Sequence, residues 1–371
     1  MTHNSRHKKV RLLTIGSVSP MNGGMTQGGV ATQHSMINQE FVENDGLDVE
    51  LVGTIATNTN ASKDTITGVP YFQRREGESV LDCLTRVIHV TSPDVILLRH
   101  ISNAWGASLS KIRDRPKCVG FVHSVNAIDP NLNPNHLSKK QLAIQALDAV
   151  DALVFNSPHS FSRAKRQILN DRDHCPVHII PPSAKLDFHH PVVLNGHVKR
   201  KILFVGKLDA NKRIMELLDA VTEHRAYELI VTGDGPLKDQ VLTHIHQNPS
   251  NNISHHENLN SVELAHVLAE CGLLCVPSQY ESFGLVYIEA LCMGVPVLGF
   301  EDSINFINQC LGMECGLPVA DSVRETLAAA IDRMENRFWD RLELSKKARY
   351  FFEPYRHAEE LAALFQDLQN P

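Results

Sequence analysis

The residues best suited to chemistry are two glutamates, Glu281 and Glu289, with seven residues between them. The sequence from 277 to 297 predicts a strand, a loop, a helix beginning at Gly284 and a second strand. A helix that follows a parallel strand presents unpaired N–H groups and a positive dipole end, which favour a phosphate. Glu289 would lie about 7.5 Å along the helix axis, at about 1.5 Å per residue. Its carboxylate can accept hydrogen bonds from the hydroxyls of a ribose joined to that phosphate.

Basic, glycine and histidine residues after other predicted strands fit the same chemistry. Lys207 and Lys212 follow an apolar run, and cations at a helix N-terminus oppose its dipole unless an anion binds there. They are otherwise ordinary charges at a helix entry. Gly28 and Gly29 either let the backbone approach a ligand or simply form a loop. His123 ends an apolar run, a pattern also typical of a buried histidine with a structural role.

Length and composition bound the class of protein. The 371 residues predict two domains, or at most three, at roughly 100 to 200 residues per domain. Hydrophobic residues make up 43% and charged residues 21%, which is typical of a globular protein and excludes extensive disorder. The formal charge of -6 argues against a protein whose main task is to bind nucleic acid.

The sequence also bears on location. No apolar run approaches the roughly 20 residues that span a bilayer, so we expect no membrane crossing. The eight cysteines show neither a disulfide framework nor zinc-ligand spacing, which predicts reduced thiols, no metal site and a cytoplasmic protein. A basic cluster at 111–117 would suit peripheral contact with an anionic inner membrane face or acceptor, or is a solvated helix end.

Short apolar runs alternate with amphipathic stretches along the whole chain, which predicts two series of βα units and hence two doubly wound parallel sheets. Predicted strands are 11–16, 48–55, 94–100, 118–123, 152–156 and 178–182 in the first series, and 201–208, 228–233, 273–277 and 296–300 in the second. The stretch 183–200 lacks periodicity, which predicts a linker and domains at 1–190 and 191–371.

The segment from 277 to 297 resembles the signature of the family 4 retaining nucleotide-sugar glycosyltransferases. The resemblance rests on Glu281 and Glu289 within Ser-Phe-Gly-Leu and before Gly-Val-Pro-Val. Further segments agree in the family's order: Gly206-Lys207-Leu208 with Lys212, Val231-Thr-Gly233-Asp-Gly-Pro, the glycines at 23–24 and 28–29, and Val122-His123-Ser124. The resemblance implies the GT-B fold, with two Rossmann-like domains facing each other across a cleft.

The resemblance also implies roles for single residues. Lys207 and Lys212 would clamp the donor diphosphate, Glu281 would hold the donor sugar, Glu289 would bind ribose, and His123 would lie near the reacting carbon. The catalytic set would therefore be His123, Glu281, Lys207 and Lys212. The substrate-binding set would be Gly28, Gly29, Gly206, Gly233, Ser282, Phe283, Gly284, Leu285, Val286 and Glu289.

The sequence departs from the family pattern at two positions near the expected phosphates. Lys207 stands where arginine is usual, which keeps the charge but loses the planar fork that binds a phosphate through two hydrogen bonds. Arg213 stands where glycine often follows the second basic residue, and it either adds a charge near the phosphates or points to solvent. The C-terminal helical pattern breaks at Pro354, and in this fold the last helix, about 355–371, packs back on the N-terminal domain.

The predicted reaction moves a sugar from a nucleotide-diphosphate donor to a hydroxyl of a glycan, lipid or small-molecule acceptor, with retained configuration. Lys207, Lys212 and the N–H groups at the start of the predicted helix would stabilise the leaving diphosphate, so neither a metal nor another cofactor is expected. Two other functions stay open. Gly28, Gly29 and Asp48 suit an NAD(P)-dependent Rossmann oxidoreductase, although the glycine spacing is not Gly-x-Gly-x-x-Gly. The other is a non-catalytic GT-B protein that binds a nucleotide sugar.

Overall fold

The computed structural model describes residues 8–22, 25, 29–123, 135–169, 175–185, 200–223, 226–249, 252–257, 259–319 and 324–370. The chain divides into two compact units. Unit 1 comprises Met1–Pro182 together with Pro354–Pro371, and unit 2 comprises Ser183–Glu353. Most of the linker predicted at 183–200 lies outside the described residues, as do Gly28 and Ser124.

Unit 1 is built on a seven-stranded sheet with the order β3-β2-β1-β4-β5-β6-β7, in which every pair of neighbours is parallel. The strands are β1 Val10–Gly16, β2 Val49–Ala56, β3 Tyr71–Phe72, β4 Val95–Leu98, β5 Lys117–Val122, β6 Ala152–Phe155 and β7 Val177–Ile179. The helices are α1 Gly29–Glu43, α2 Val80–Thr91, α3 Ala104–Leu109, α4 His136–Leu147, α5 Pro158–Ala164 and α13 Pro354–Gln369. The predicted doubly wound sheet is confirmed.

Burial explains why the central strands form where they do. All four residues of β4 are fully buried, because the helices that connect parallel strands cover both faces of the sheet. Fully burying an aliphatic side chain of this size stabilises the fold by about 1.5–3 kcal/mol. Local signals set the helix ends: Ser79 caps α2, where its Oγ accepts a hydrogen bond from the Asp82 N–H at 3.1 Å.

The last helix packs on the sheet of unit 1. Leu361 and Phe365 of α13 are fully buried in the cluster that contains Val10 and Ile37, and the Phe365 ring lies 5.9 Å from that of Phe41. The preceding helix ends at Phe351 and α13 begins at Pro354, so the predicted break at this proline is confirmed. The break sends the chain back from unit 2 to unit 1.

Unit 2 repeats the architecture with a six-stranded parallel sheet of order β10-β9-β8-β11-β12-β13. The strands are β8 Lys201–Val205, β9 Glu228–Thr232, β10 Asn252–His256, β11 Leu273–Val276, β12 Val297–Phe300 and β13 Gly316–Val319. The helices are α6 Ile214–Glu223, α7 Lys238–Gln247, α8 Ser261–Glu270, α9 Leu285–Cys292, α10 Glu301–Leu311, α11 Arg324–Glu335 and α12 Arg341–Phe351.

Within the described parts of the chain, every helix is too short or too polar to cross a bilayer.

Candidate functional site

The two loops expected to bind the donor meet in unit 2. The chain leaves β8 toward one edge of the sheet and leaves β11 toward the other, although these strands are neighbours. Such a switch point leaves a crevice outside the carboxyl ends of the two strands, where doubly wound sheets bind ligands. The loops that follow β8 and β11 are joined by hydrogen bonds: Gln279 N–H donates to Asn211 O at 2.8 Å, and Asn211 Nδ2 donates to Tyr280 O at 3.1 Å.

An ion pair links the two predicted catalytic residues of these loops. Lys212 Nζ pairs with Glu281 Oε1, and their side chains are 19% and 14% exposed. Ser278 Oγ also donates to Glu281 Oε1, at 2.8 Å. Because an ammonium has three N–H donors, binding Glu281 leaves Lys212 the capacity to bind a phosphate. The structure therefore brings Lys212 and Glu281 together at the switch point.

The turn that carries Lys212 is held by Asp209, whose Oδ1 accepts a hydrogen bond from the Lys212 N–H at 3.1 Å. The next residue, Arg213, has φ of +51°. This left-handed conformation favours glycine, the residue that the family resemblance implies at this position. Arg213 Nε is buried and has no hydrogen-bond partner among the described residues.

Lys207 is placed differently from Lys212. Its side chain is 64% exposed, and Nζ lies 3.7 Å from Asp209 Oδ2. An exposed pair of this kind contributes little to stability. The partner of Lys207 is thus Asp209, whereas Glu281 pairs with Lys212, and a role for Lys207 in binding the diphosphate stays a prediction.

Two glycines of the predicted site, Gly233 and Gly284, lie where a side chain cannot fit, whereas a Cβ at Gly206 would make only ordinary contacts. Gly233 has φ of +140°, and a Cβ there would lie 1.9 Å from Gly206 O. Gly284 has φ of +92°, and its Cβ would lie 2.3 Å from Tyr287 Cδ2. Gly206 lies beside Lys212, whose Cε would be 3.5 Å from its Cβ. Glycine at these positions lets the backbone of the β8 and β9 loops pack closely around the crevice.

Helix α9 begins at Leu285, with Gly284 at its N-cap and no side chain capping it. The N–H groups of Leu285 and Val286 have no partner within the helix, because the first four N–H groups of any α-helix lack one. Ser282 lies in the loop just before, whereas the Phe283 side chain is only 2% exposed and packs against Phe306 and Phe352. Phe283 can therefore contact a ligand only through its backbone.

Glu289 lies in α9 and is 7% exposed. Lys185 Nζ lies 3.6 Å from Glu289 Oε1 and 3.4 Å from Ser261 Oγ. Lys185 was not predicted as a site residue, because it lies in an irregular segment with no periodicity or motif of its own. In the fold it provides a positive charge beside the carboxylate predicted to bind ribose.

Unit 1 contains His123 and Gly29. Gly29 is the first residue of α1, and Gly28 lies outside the described residues. His123 directly follows β5, is 6% exposed and stacks on Phe121, with the ring centroids 4.3 Å apart. Burial holds the pKa of His123 well below its usual value, and the nearby His100, Arg99, His357 and His34 lower it further. The imidazole is therefore neutral at pH 7.

Three buried basic residues near His123 were missed by sequence reasoning: His34, Arg99 and His357. Burial lowers the pKa of His34 and of His357 to about 3. Arg99 was placed inside a predicted strand, and nothing in its spacing marks it as unusual. By contrast, the basic cluster at 111–117 is partly structural, because Arg115 Nη1 lies 2.6 Å from Asp151 Oδ2.

Comparison with known proteins agrees with this geometry. Residues 187–363 match the family described as Glycosyl transferases group 1. An uncharacterized glycosyltransferase of Methanocaldococcus jannaschii is 26% identical over 155 residues, 40% of this chain and 39% of its own. A second one from that organism is 32% identical over 99 residues, 26% of this chain and 27% of its own. The chain thus spans about a quarter to two fifths of the length of these curated relatives.

Solved structures resemble the chain over almost its whole length. Sucrose-phosphate synthase from Thermosynechococcus elongatus superposes with a TM-score of 0.75 at 18% identity, covering 97% of this chain and 99% of its own. Anabaena HepE in complex with UDP has a TM-score of 0.68 at 15% identity, covering 96% and 100%. WaaG, a glycosyltransferase involved in lipopolysaccharide biosynthesis, has a TM-score of 0.66 at 13% identity, covering 95% and 99%.

These findings do not favour an oxidoreductase or a non-catalytic binding protein. The sheet orders and the structural neighbours establish the architecture, and the matched segment contains both Glu281 and Glu289. The chain has the GT-B fold, and residues 187–363 match the glycosyl transferases group 1 family.

Proposed function

We propose that the protein is a retaining glycosyltransferase of the hexosyltransferase type, which moves a sugar from a nucleotide-diphosphate donor to an acceptor hydroxyl without a metal. The observation that carries the proposal is the Lys212–Glu281 pair at the switch point of unit 2, beside the N-terminus of α9 and within the matched domain. The structural neighbour HepE has been solved with UDP and glucose, which makes UDP the first nucleotide to test.

The leaving nucleoside diphosphate gains negative charge as the bond to the sugar breaks. Lys212 and the N–H groups of Leu285 and Val286 are placed to stabilise that charge, and fixed donors of this kind need no reorganisation during the reaction. Lys212 is also the only one of the two predicted lysines whose side chain is mostly withdrawn from solvent, at 19% exposed against 64% for Lys207. Lys212 is therefore the better candidate for the phosphate ligand.

The two glutamates have separate tasks in this scheme. Glu281 is held between Lys212 and Ser278, an orientation that suits acceptance of hydrogen bonds from donor sugar hydroxyls. Glu289 lies one turn into α9 and is positioned to accept hydrogen bonds from the ribose. We assign no nucleophile, and the role of His123 near the reacting carbon remains a prediction. The acceptor is a glycan, lipid or small molecule.

Donor binding tests the proposal. Thermal unfolding of the full chain would be followed with UDP, GDP and ADP and with their sugars, in the presence of EDTA. A ligand at about 100 times its Kd stabilises by about 2.7 kcal/mol, which is easily measured. We expect one nucleotide to raise Tm in EDTA, and Glu289→Ala to reduce that rise. Glu359→Ala, which changes an exposed helix glutamate in unit 1, serves as the control.

Absence of a shift with every nucleotide would contradict the donor site, and loss of the shift in EDTA would contradict metal independence. For the donor that binds, NMR of the transfer product shows whether the anomeric configuration is retained. An inverted product would refute the retaining mechanism.

A further inference from the structure

Arg99 has the most unusual surroundings of any charged residue that the structure describes. It directly follows β4 and its side chain is fully buried. Its guanidinium nitrogens Nε, Nη1 and Nη2 are all buried, and none has a hydrogen-bond partner among the described residues. Burial lowers the pKa of Arg99 to about 9, so the guanidinium remains charged at pH 7.

The fold makes room for this arginine. A Cβ on Gly16, the last residue of β1, would lie 2.9 Å from Arg99 Cβ and 3.0 Å from His34 Nδ1. The guanidinium carbon lies 5.4 Å from the centroid of the Phe121 ring. A cation over an aromatic face gains some electrostatic stabilisation. That gain is smaller than the cost of burying an ion without a partner.

The neighbouring polar groups are also without partners. The buried nitrogens His123 Nε2, His34 Nε2 and both ring nitrogens of His357 have no hydrogen-bond partner among the described residues. The centroid of the Phe121 ring lies 4.3 Å from that of His123 and 6.0 Å from that of His357, so the same ring contacts this group of residues. Arg99 is among the neighbours that lower the pKa of His123, so a positive charge lies close to the imidazole.

The position in the sheet is that of a ligand site. β1 and β4 are neighbours, and the chain leaves them toward opposite edges, so their carboxyl ends form the switch point of unit 1. Gly16 ends β1 and Arg99 follows β4 at this switch point. His123 follows β5, the next strand in the sheet.

We infer that Arg99 is the central ligand of an oxyanion-binding site in unit 1, and that His123 and His357 donate further hydrogen bonds to the same anion. A guanidinium presents N–H groups in a planar fork that matches a carboxylate or phosphate, and such charge-assisted bonds are the strong ones. The two imidazoles are neutral, and each can place its N–H toward the anion. The inference rests on unit 1 alone and does not depend on the donor site of unit 2.

Titration of the full chain with inorganic phosphate, sulfate and acetate, each against chloride at equal ionic strength, tests the site. We expect saturable stabilisation of the wild type by at least one of the three oxyanions. Arg99→Met should abolish it and should raise Tm without the anion, because an unpaired buried charge has been removed. Arg99→Lys should retain binding at least tenfold weaker. Arg75→Met, at an exposed position of unit 1, is the matched control and should behave as wild type.

Two results of this titration would overturn the inference: no saturable effect of any oxyanion on the wild type, or an unchanged effect in Arg99→Met. If Arg99→Met does not fold, the titrations of Arg99→Lys and of the wild type still show whether Arg99 binds an oxyanion. A repeat with saturating UDP separates this site from the donor site of unit 2. Undiminished oxyanion binding in UDP would support a separate site, for which glucuronate and glucose form a matched pair of probes, whereas competition with UDP would place the effect at the donor site and overturn the inference.

Discussion

The buried histidines of unit 1 make its stability depend on pH. His34 and His357 are fully or almost fully buried, and burial lowers the pKa of each to about 3. In the unfolded chain both have pKa values of about 6.5. Below that value the unfolded state binds more protons than the folded state, so the unfolding free energy falls as the pH falls.

The size of the effect follows from the two pKa values. At pH 5 a histidine with an unfolded pKa of about 6.5 and a folded pKa of about 3 costs about 2 kcal/mol of stability, relative to pH 8. His34 and His357 together cost about 4 kcal/mol. His123 acts in the same direction, because its pKa is also lowered by burial. The interval from pH 8 to pH 5 lies above the usual pKa values of carboxyl groups, so the histidines dominate.

Urea unfolding at pH 8 and pH 5 measures this difference. The chain has two tryptophans, Trp105 in unit 1 and Trp339 in unit 2, so fluorescence of a Trp339→Phe variant follows unit 1 alone. Buffers should contain chloride and no phosphate. His357→Leu should recover about 2 kcal/mol of the loss at pH 5. His89→Leu, an exposed position in α2, should recover none.

Equal losses in the wild type and in His357→Leu would refute the assignment of the pH dependence to His357. An unfolding free energy that stays constant from pH 8 to pH 5 would refute the lowered pKa values themselves.

Three further predictions concern unit 2. Gly233→Ala should lower the unfolding free energy by at least about 2 kcal/mol in urea, because the backbone conformation is unfavourable for alanine and the new Cβ would overlap Gly206 O; an unchanged midpoint would contradict the close approach. Lys212→Met should weaken nucleotide binding by about 10- to 100-fold, the loss of one charged hydrogen bond, whereas Lys207→Met should have less than a threefold effect in the same calorimetric titration; the reverse order would show that the exposed lysine binds the phosphates. Lys185→Met should lower the unfolding free energy by about 1 kcal/mol, because it removes a partly exposed cation from beside Glu289, and a double-mutant cycle with Glu289→Gln should show the coupling; additive effects would argue against it.

The central strands could be predicted because strands that are buried on both faces have an apolar composition. Strands β1, β4, β5, β8 and β11 are mostly apolar, and each predicted range overlaps the observed one. Their ends were less accurate: the run predicted at 94–100 ends at Leu98, so Arg99 lies beyond the strand. Periodicity identifies buried segments but does not show where the hydrogen-bonded ladder stops.

The strands missed from the sequence lie at sheet edges or are very short. β10 reads Asn-Ile-Ser-His-His, and β13 contains Pro318. Edge strands pair on one side only and bury fewer side chains, so they lack the apolar signal and tolerate proline. His255 Nε2 of β10 lies 2.9 Å from Gly233 O, so this edge strand contacts the loop that follows β9.

The predictable part of the candidate site is the part encoded by local segments. Glu281, Gly284 and Glu289 belong to one strand-loop-helix unit, and the structure places them as that unit requires. The partners of these residues come from elsewhere in the chain. Lys185 reaches Glu289 across 104 positions of sequence, and no short motif connects them. Arg99 could not be predicted either, because its lack of a hydrogen-bond partner depends on how distant segments pack around it.

The two switch points therefore differ in how their charges are balanced. In unit 2 the charges are paired before a donor binds, Lys212 with Glu281 and Lys185 with Glu289, so a ligand exchanges one set of contacts for another. In unit 1 the charge of Arg99 has no hydrogen-bond partner among the described residues, so an anion there would break no existing pair. Since leaving a buried charge unpaired is far more costly than leaving a pair intact, removing Arg99 should stabilise the unliganded protein, whereas removing Lys212 should not. If removing Arg99 raises the unfolding free energy and removing Lys212 lowers it, the unpaired Arg99 destabilises the unliganded protein and is explained by binding. Changes of the same sign would contradict this.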